Sequence, residues 1–418
     1  MITIKPFKGY RPPKELSRKL ASYPYDVINS DEAREIADGN SCSFLHVIKP
    51  EIDLPEGTDL YDPAVYRTGA ENLQAFIAKG WLVKDRGPRM YVYQQKMGNH
   101  VQTGLVCCCS VDDYWEDRIK KHEHTRATKE EDRVKHVDVL NANTGPVFLT
   151  YQADRKIDAI IRWSLSKEPE HDFKAKDGIA HRLTVIEDPE IITELAKSFQ
   201  RIDCLYVADG HHRAKSAARV GKMRREQNPD HTGTEEYNFF LTVLFPHDEL
   251  MIMDYNRVVK DLDGMSSKEL LEKIEGKFTI QPYIPEELKP NFKPERKGTF
   301  GMYLNKQWYI LEAQKGTYDE QDAVERLDVS ILQNNLLSPV LKIGDPREDK
   351  RIGFIGGIRG MKELKKLVDN GRFQVAFSLY PTSITDLMSV ADSGRVMPPK
   401  STWFEPKLRS GLIVHMLT

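Results

Sequence analysis

Apolar and polar positions along the chain switch repeatedly between the spacing of strands and the spacing of helices. Short apolar runs rich in β-branched and aromatic residues predict strands at 147–151, 178–186 and 239–245. Residues 62–79 and 189–200 instead carry apolar positions three to four residues apart, which is typical of amphipathic helices. The mixture predicts a mixed α/β (α+β) fold.

Three segments have weaker patterns. The apolar run 44–48 predicts a strand that ends at Lys49-Pro50-Glu51. The densely charged stretch 116–136 is typical of a solvated helix with ion pairs one turn apart. The basic, polar residues 219–234 predict a flexible loop.

The most distinctive stretch joins a strand to a helix through an acid and a glycine. Leu205–Val207 is apolar, Asp209 and Gly210 end the run, and helix-forming residues begin at Ala214. A helix that begins after glycine presents free N–H groups and the positive end of its dipole, a ready phosphate site. The sequence of residues 209–213, Asp-Gly-His-His-Arg, adds a carboxylate suited to Mg²⁺ and cationic side chains. The structural alternative is a turn in which the aspartate only caps the helix.

Two further stretches mix groups that can do chemistry. Residues 122–133 combine acids, bases and anion-binding groups, and His122 and His124 would share one face of a strand, as in a metal pair. The spacing of residues along the sequence does not indicate a third zinc ligand to join His122 and His124. The tail 397–412, with two lysines, a hydroxyl pair and prolines, suits either an anion site or a closing segment. Its Lys-Ser-Thr resembles the end of a P-loop, but the glycine-rich cradle is missing, which excludes a Walker site.

Charge and composition narrow the function classes. Sixty-one basic and 63 acidic residues give a net charge of −2, which disfavours a dedicated nucleic-acid binder. No apolar run reaches the ~18 residues of a membrane span. The first residues lack the apolar segment and cleavage site of a signal peptide. Three of the cysteines, Cys107–Cys109, are consecutive. We therefore expect a cytoplasmic protein with buried, reduced cysteines.

Several motifs together resemble, along nearly the whole chain, a bacterial and archaeal family of unknown function. These motifs are Tyr25–Ile28, Phe44–Glu51, His122-Glu123-x-Thr125, Asp209–Arg213 and Pro399–Thr402. The 209–213 loop is also similar to the phosphate-binding loop of the ParB/sulfiredoxin superfamily, which includes kinases of free L-serine. The resemblance implies a ParB/sulfiredoxin-like nucleotide-binding core with added N- and C-terminal regions.

The chain is long enough for two or three domains, at ~150 residues each. We expect an N-terminal α/β region at 1–150 that contributes site residues, the phosphate-binding core at 151–260, and a C-terminal α/β domain at 261–418, because the composition shifts after Lys260.

The resemblance to the serine kinases also implies roles. Asp209 would assist Mg²⁺ or the serine hydroxyl, and Glu51 or Glu123 would be the general base on that hydroxyl. The implied ligands of the nucleotide phosphates are Gly210, His211, His212, Arg213, Lys129 and Arg133. The implied ligands of the amino-acid substrate are Arg11, Arg257, Lys400, Ser401 and Thr402.

The expected reaction is phosphoryl transfer from ATP or ADP, with Mg²⁺, to free L-serine. The expected partners are therefore a nucleotide and a small amino acid. One alternative is a ParB-like nucleotide-binding or nucleotide-hydrolysing regulatory protein that contacts nucleic acid. Another is a metal-dependent hydrolase that uses His122, His124, His211 and His212. The near-neutral charge and the lack of a recognisable helix-turn-helix domain favour the kinase.

Overall fold

The chain forms two compact units. A computed structural model describes residues 1–285 and 291–418. Contacts group Met1–Leu250 with Pro406–Thr418 in the first unit and Met251–Glu405 in the second. Nearly all of the predicted regions 1–150 and 151–260 therefore lies in the first unit.

A nine-stranded mixed sheet is the centre of the first unit. The strands of this unit that precede its C-terminal segment are β1 (Ile4–Lys5), β2 (Tyr10–Arg11), β3 (Val83–Lys84), β4 (Met90–Met97), β5 (His100–Ser110), β6 (Ile119–Lys120), β7 (Ala142–Asn143), β8 (Val147–Tyr151), β9 (His171–Lys174), β10 (Ala180–Ile186), β11 (Leu205–Asp209) and β12 (Phe239–Pro246). The sheet order is β6-β11-β8-β12-β5-β4-β10-β9, with β1 paired to β5. Strand β11 lies near one edge, parallel to β6 and antiparallel to β8. The short strand His415–Met416 pairs with β7.

Helices surround this sheet. They are α1 (Ser17–Leu20), α2 (Ser30–Ala37), α3 (Leu45–Ile48), α4 (Pro63–Ala78), α5 (Val111–Trp115), α6 (Ala127–Leu140), α7 (Arg155–Ser164), α8 (Pro189–Phe199) and α9 (His211–Gln227). The side chains of Asn29, Asp62 and Asp188 cap the starts of α2, α4 and α8, which explains where these helices begin. The predicted helices 62–79 and 189–200 are confirmed.

The core of the first unit confirms that the consecutive cysteines are buried in a strand. Cys107–Cys109 are completely buried in β5. Cys107 and Cys109 point to the same face and pack in one cluster with residues of β8, β11 and α9, including Leu149, Val207 and Ala217. These thiols fill the interior beneath the strand–helix junction.

Three local predictions are wrong. Residues 45–48 are helical and Pro50–Asp53 form a 3₁₀ turn, because so short an apolar run does not distinguish strand from helix. Helix α9 continues to Gln227, through the first part of the predicted loop 219–234, since Arg219 pairs with Glu130 of α6 at 2.9 Å. Residues 228–234 are irregular, as predicted. Within 116–136 the helix begins only at Ala127. Residues 121–126 are irregular, so His122 and His124 share no strand face.

The second unit is built on a six-stranded antiparallel sheet. The strands of the second unit, two of which lie outside this sheet, are β13 (Met251–Met253), β14 (Tyr255–Val259), β15 (Phe278–Pro282), β16 (Thr299–Leu304), β17 (Gln307–Ala313), β18 (Ile352–Gly356), β19 (Val375–Ser378) and β20 (Trp403–Glu405). The order is β15-β17-β16-β19-β14-β18, and β13 pairs with β20. Its helices are α10 (Ser267–Ile274), α11 (Asp328–Leu332), α12 (Gly360–Asp369) and α13 (Ile384–Asp392), and α11 continues into a π turn at Gln333–Leu337.

Both units combine strands with helices, which confirms the predicted mixed α/β class. Across residues 1–285 and 291–418, no helix has the length and apolar character needed to cross a membrane.

Candidate functional site

The 209–213 loop lies where β11 passes into α9. The register of β11 against β8 shifts between Val207 and Asp209, a bulge of the kind that re-aims a side chain next to a functional site. Gly210 follows in the left-handed conformation, with φ +94°, and α9 begins at His211. A Cβ at Gly210 would lie 2.9 Å from Cζ of Arg213. Backbone conformation and space both favour glycine here.

The starts of α6 and α9 lie side by side. The backbone N–H of Arg126, the N-cap of α6, donates to Nε2 of His212 in the first turn of α9, at 3.1 Å. Further along, Arg224 of α9 bonds to Asp138 of α6 at 3.0 Å. These two pairings mean that the helices run parallel, with the positive ends of both dipoles at the loop. An anion is favoured at such a place.

The carboxylate of Asp209 lies among cations. Its Oδ2 accepts a hydrogen bond from Nη2 of Arg213 at 3.2 Å and lies 3.8 Å from Nζ of Lys407. Arg213 also donates to the carbonyl of Pro146. Burial opposes the charge of Arg213, but Asp26 and Asp209 outweigh it and raise the pKa of the guanidinium above its ordinary value. Arg213 is therefore a permanent, positioned cation.

A cavity of about 30 Å³ adjoins the loop. Its lining includes Arg133 and Arg213 together with the side chains of Tyr25, Asn143 and Thr144. The Arg133 guanidinium stacks over the Tyr25 ring at 4.1 Å. Two guanidinium groups therefore reach one small cavity, and the structure brings the predicted phosphate ligand Arg133 to the loop.

Two imidazoles and a carboxylate meet beside the loop. Nδ1 of His211 lies 3.8 Å from Oε2 of Glu123, and the rings of His122 and His211 are perpendicular with centroids 4.4 Å apart. Burial lowers the pKa of each histidine to about 3; the neighbouring His211 adds to the effect on His122. Both rings are therefore neutral at neutral pH.

Glu51, the other predicted base, is buried and bonded to a hydroxyl and an ammonium group. Its buried Oε1 accepts hydrogen bonds from the Ser30 hydroxyl at 2.8 Å and from Nζ of Lys49 at 2.9 Å. Burial alone would raise the pKa of this carboxyl, but Lys49 and Ser30 lower it below its usual value. Of the two predicted bases, Glu123 contacts the 209–213 loop through His211, whereas the side-chain oxygen of Glu51 is bonded to Ser30 and Lys49.

Two other predicted cationic ligands are engaged elsewhere in the first unit. Arg11 forms ion pairs with Asp85 at 2.8 Å and with Glu170 at 2.6 Å. The ammonium of Lys129 lies 5.7 Å from the centre of the Tyr61 ring. Their implied roles stay predictions, and the contacts do not place either side chain at the loop.

The remaining predicted substrate residues belong to the second unit. The buried guanidinium of Arg257 donates to the carbonyl of Lys400 at 3.0 Å, and the hydroxyl of Thr382 donates to the carbonyl of Ser401 at 2.9 Å. Burial lowers the pKa of Arg257 to about 10, so this side chain is still protonated at neutral pH. Thr402, next along the chain, is half-buried. These bonds hold the backbone of the tail in a fixed course within this unit.

Sequence reasoning missed two members of the site. Lys407 reaches Asp209 from the C-terminal segment of the first unit, and the Arg126 N–H supports His212. Lys407 lay within the unusual tail, but no local pattern indicated its partner. The bond of Arg126 comes from the backbone, which carries no sequence signal.

Comparisons with known proteins give a family and several distant folds. Residues 4–330 match the model of a family described as a protein of unknown function, DUF1015. No curated protein matches the chain closely enough to count as a relative. A solved free serine kinase in complex with AMP is similar at 14% identity and a TM-score of 0.36, covering 72% of this chain and 86% of the kinase.

Two further solved structures are similarly distant. A conserved hypothetical protein from Pyrococcus furiosus has 12% identity and a TM-score of 0.34, covering 73% of this chain and 93% of its own. SbnI from Staphylococcus aureus, truncated at its C-terminus, has 12% identity and a TM-score of 0.36, covering 72% and 82%. At such low scores, what these neighbours bind does not transfer to this chain.

Proposed function

The chain belongs to the DUF1015 family, and we propose that it is a nucleotide-dependent kinase that phosphorylates the hydroxyl of free L-serine. One observation carries the proposal: the carboxylate of Asp209 comes directly before the left-handed Gly210, at the joint start of two parallel helices. Phosphoryl transfer needs an anion cradle, a carboxylate for the metal and fixed cations, and this junction has the groups for all three.

The cradle would be formed mainly by Gly210–Arg213. First-turn N–H groups of α9 point toward an anion at its start, and the guanidinium of Arg213 adds a charge that burial does not remove. Arg133 supports the same role, because it lines the cavity that Arg213 reaches. His212 contributes as a neutral ring that holds α6 in place.

Mg²⁺ fits the chemistry of Asp209. This ion takes oxygen ligands and commonly uses one or two carboxylates together with phosphate oxygens and waters. When bound, it would neutralise charge on the phosphates of ATP or ADP. Arg213 and Lys407 both contact Oδ2 of this carboxylate, so they hold it in a fixed orientation.

A base must accept the proton of the serine hydroxyl, which is a weak nucleophile at neutral pH. Glu51 and Glu123 are the two candidates. The contact of Glu123 with His211 supports Glu123, whereas the hydrogen bonds of Glu51 to Lys49 and Ser30 support an ionised but firmly held carboxylate. The product would be O-phospho-L-serine.

The choice of L-serine rests on the resemblance of the 209–213 loop to that of the serine kinases. The carboxylate of the amino acid needs a cation, and Arg11, Arg257 and Lys400, with the hydroxyls of Ser401 and Thr402, stay the proposed ligands. We also place the protein in the cytoplasm, since Cys107–Cys109 are buried thiols.

The deciding experiment is phosphorus NMR of the full chain with Mg²⁺ and either ATP or ADP, over a panel of hydroxyl-bearing amino acids. A phosphoserine signal that disappears in Asp209→Asn is the expected result. Nucleotide binding without transfer to any acceptor would contradict the kinase and leave the ParB-like regulatory protein. Salt-sensitive affinity for DNA would then identify its partner.

A further inference from the structure

We propose that His122, Glu123 and His211 bind one divalent transition-metal ion of the zinc class, with an open position for an oxygen ligand. This site is distinct from the Mg²⁺ site expected at Asp209. It does not rest on the proposed kinase activity, because metal binding and phosphoryl transfer can be measured separately.

The spacing of the three side chains suits one ion. Their ligand atoms lie within 4.8 Å of one another, and the pair His211 Nδ1–Glu123 Oε2 is separated by 3.8 Å. Ligands of a tetrahedral zinc lie at about 2.1 Å from the ion and hence about 3.4 Å apart. Small side-chain rotations would close the difference, and the backbone need not move.

A second, independent observation points to a ligand. His122 and His211 are only 2% and 6% exposed. Nε2 of His211 makes no hydrogen bond with any of the described residues, and the His122 ring has only a backbone contact with Val207 that lacks good hydrogen-bond geometry. Buried polar atoms without partners cost free energy, and native structures contain few of them. A bound ion would use these nitrogens.

The donor set selects the class of metal. Two neutral imidazoles and one carboxylate suit zinc, manganese, iron or cobalt, whereas Mg²⁺ prefers oxygen ligands only. Three protein ligands leave a coordination position open, as in catalytic rather than structural zinc sites. Glu123 is the partly exposed member, with its side chain 40% accessible, so solutes reach the cluster from its side. His211 follows Gly210 directly, so the open position would take a phosphate or hydroxyl oxygen.

The geometry also revises the hydrolase alternative with four histidines. His124 is exposed and lies outside the cluster, and Nε2 of His212 already accepts from the Arg126 N–H. The site therefore uses two of those histidines and a glutamate. If Glu123 binds the ion, Glu51 is left as the base of the proposed kinase.

The test is metal binding to the full chain after chelator treatment and dialysis. Co²⁺ is the probe, because its visible absorption reports coordination geometry, and Zn²⁺ is then added as a competitor. We expect one Co²⁺ per chain with the bands of a four- or five-coordinate site, displaced by Zn²⁺. Glu123→Gln and His211→Gln should weaken binding about a hundredfold or more, since even outer-shell changes cost about 10–100-fold. His124→Gln, a neighbouring exposed histidine, should bind like the wild type.

Two results would overturn the site: the same Co²⁺ spectrum and affinity in Glu123→Gln and His211→Gln, or no specific Co²⁺ uptake by the wild type. Circular dichroism checks the fold of each variant. If His211→Gln fails to fold, the half-exposed Glu123→Gln decides. Nucleotide affinity measured on the same samples keeps the two proposals apart, because a failed metal site with intact ATP or ADP binding leaves the kinase proposal standing.

Discussion

The backbone N–H of Arg126 donates a hydrogen bond to Nε2 of His212 at 3.1 Å, and this bond joins the first turns of α6 and α9. An accepting Nε2 places the proton of the neutral ring on Nδ1. Burial lowers the pKa of His212, which favours the same neutral form. His212 therefore acts first as a support between two helix starts, and only indirectly on an anion.

Replacing His212 with alanine should separate these starts. The Arg126 N–H loses its acceptor, so we expect the free energy of unfolding to fall by about 1 kcal/mol. We also expect weaker nucleotide binding. Urea denaturation followed by tryptophan fluorescence measures the first effect, and calorimetric titration with ADP the second. His124→Ala, in the same segment but exposed, is the control. Unchanged stability and affinity in His212→Ala would contradict the supporting role.

Gly210→Ala should damage the loop in two ways. A left-handed alanine costs about 1–2 kcal/mol, and the new Cβ would lie 2.9 Å from Cζ of Arg213. Gly233 is the matched control: its φ is +91°, but a Cβ there meets no atom of the described residues within 4 Å. We expect both alanine variants to lose stability and only Gly210→Ala to lose nucleotide affinity. Equal affinities would show that the Arg213 contact does not matter for binding.

Asp209→Asn should abolish turnover and leave the fold intact. The amide oxygen can still accept from Arg213, but the negative charge that serves Mg²⁺ or the hydroxyl is gone. We expect kcat to fall by about a hundredfold or more. Asp203→Asn, an exposed change just before β11, should keep full activity. A fully active Asp209→Asn variant would remove Asp209 from catalysis.

Much of the strand–loop–helix site follows from its sequence, because its determinants are local. An apolar run, Asp-Gly and a helix-forming stretch predict a strand, a tight turn and a helix, and β11, the turn at Gly210 and α9 are all present. The length of α9 could not be predicted in the same way. Residues beyond Arg219 look like a polar loop until Arg219 and Arg224 are seen to pair with acids of α6.

The same limit applies to the members of the site. The sequence singled out Glu123 and Arg133, yet it could not say that one lies beside His211 and the other beside a cavity reached by Arg213. These contacts arise from the packing of α6 against α9, between segments far apart in the chain. For the segment before Glu51, the short apolar run 44–48 predicts a strand, whereas the chain is helical there.

The two glutamates can be separated by comparing stability with activity. In Glu51→Gln the ammonium of Lys49 stays nearly buried without its carboxylate partner, so we expect a loss of about 3 kcal/mol or more in unfolding free energy. Glu123 is partly exposed and should tolerate glutamine with little change in stability. Urea denaturation and phosphoserine formation are measured on both. A stable Glu123→Gln variant without turnover would show that Glu123 is needed for activity, whereas its full activity would leave Glu51 as the base.

Acid should destabilise the protein through its buried histidines, and His136 offers the cleanest test. It is buried, its Nε2 donates to the carbonyl of Val47 at 3.2 Å, and burial lowers its pKa to about 3. In the unfolded chain the pKa returns to about 6.5. Between these values the unfolded state binds a proton that the folded state does not, so stability is complete above about pH 6.5 and falls as the pH drops toward about 3.

His136→Gln removes that proton uptake while keeping a side chain that can donate to Val47. The unfolding free energy of this variant, measured in urea at several pH values, should fall less steeply with acid than that of the wild type. The difference in slope should approach about 1.4 kcal/mol per pH unit between the two pKa values. His124→Gln, a change at an exposed position, is the control and should run parallel to the wild type. Parallel curves for His136→Gln and the wild type would mean that His136 does not titrate on unfolding.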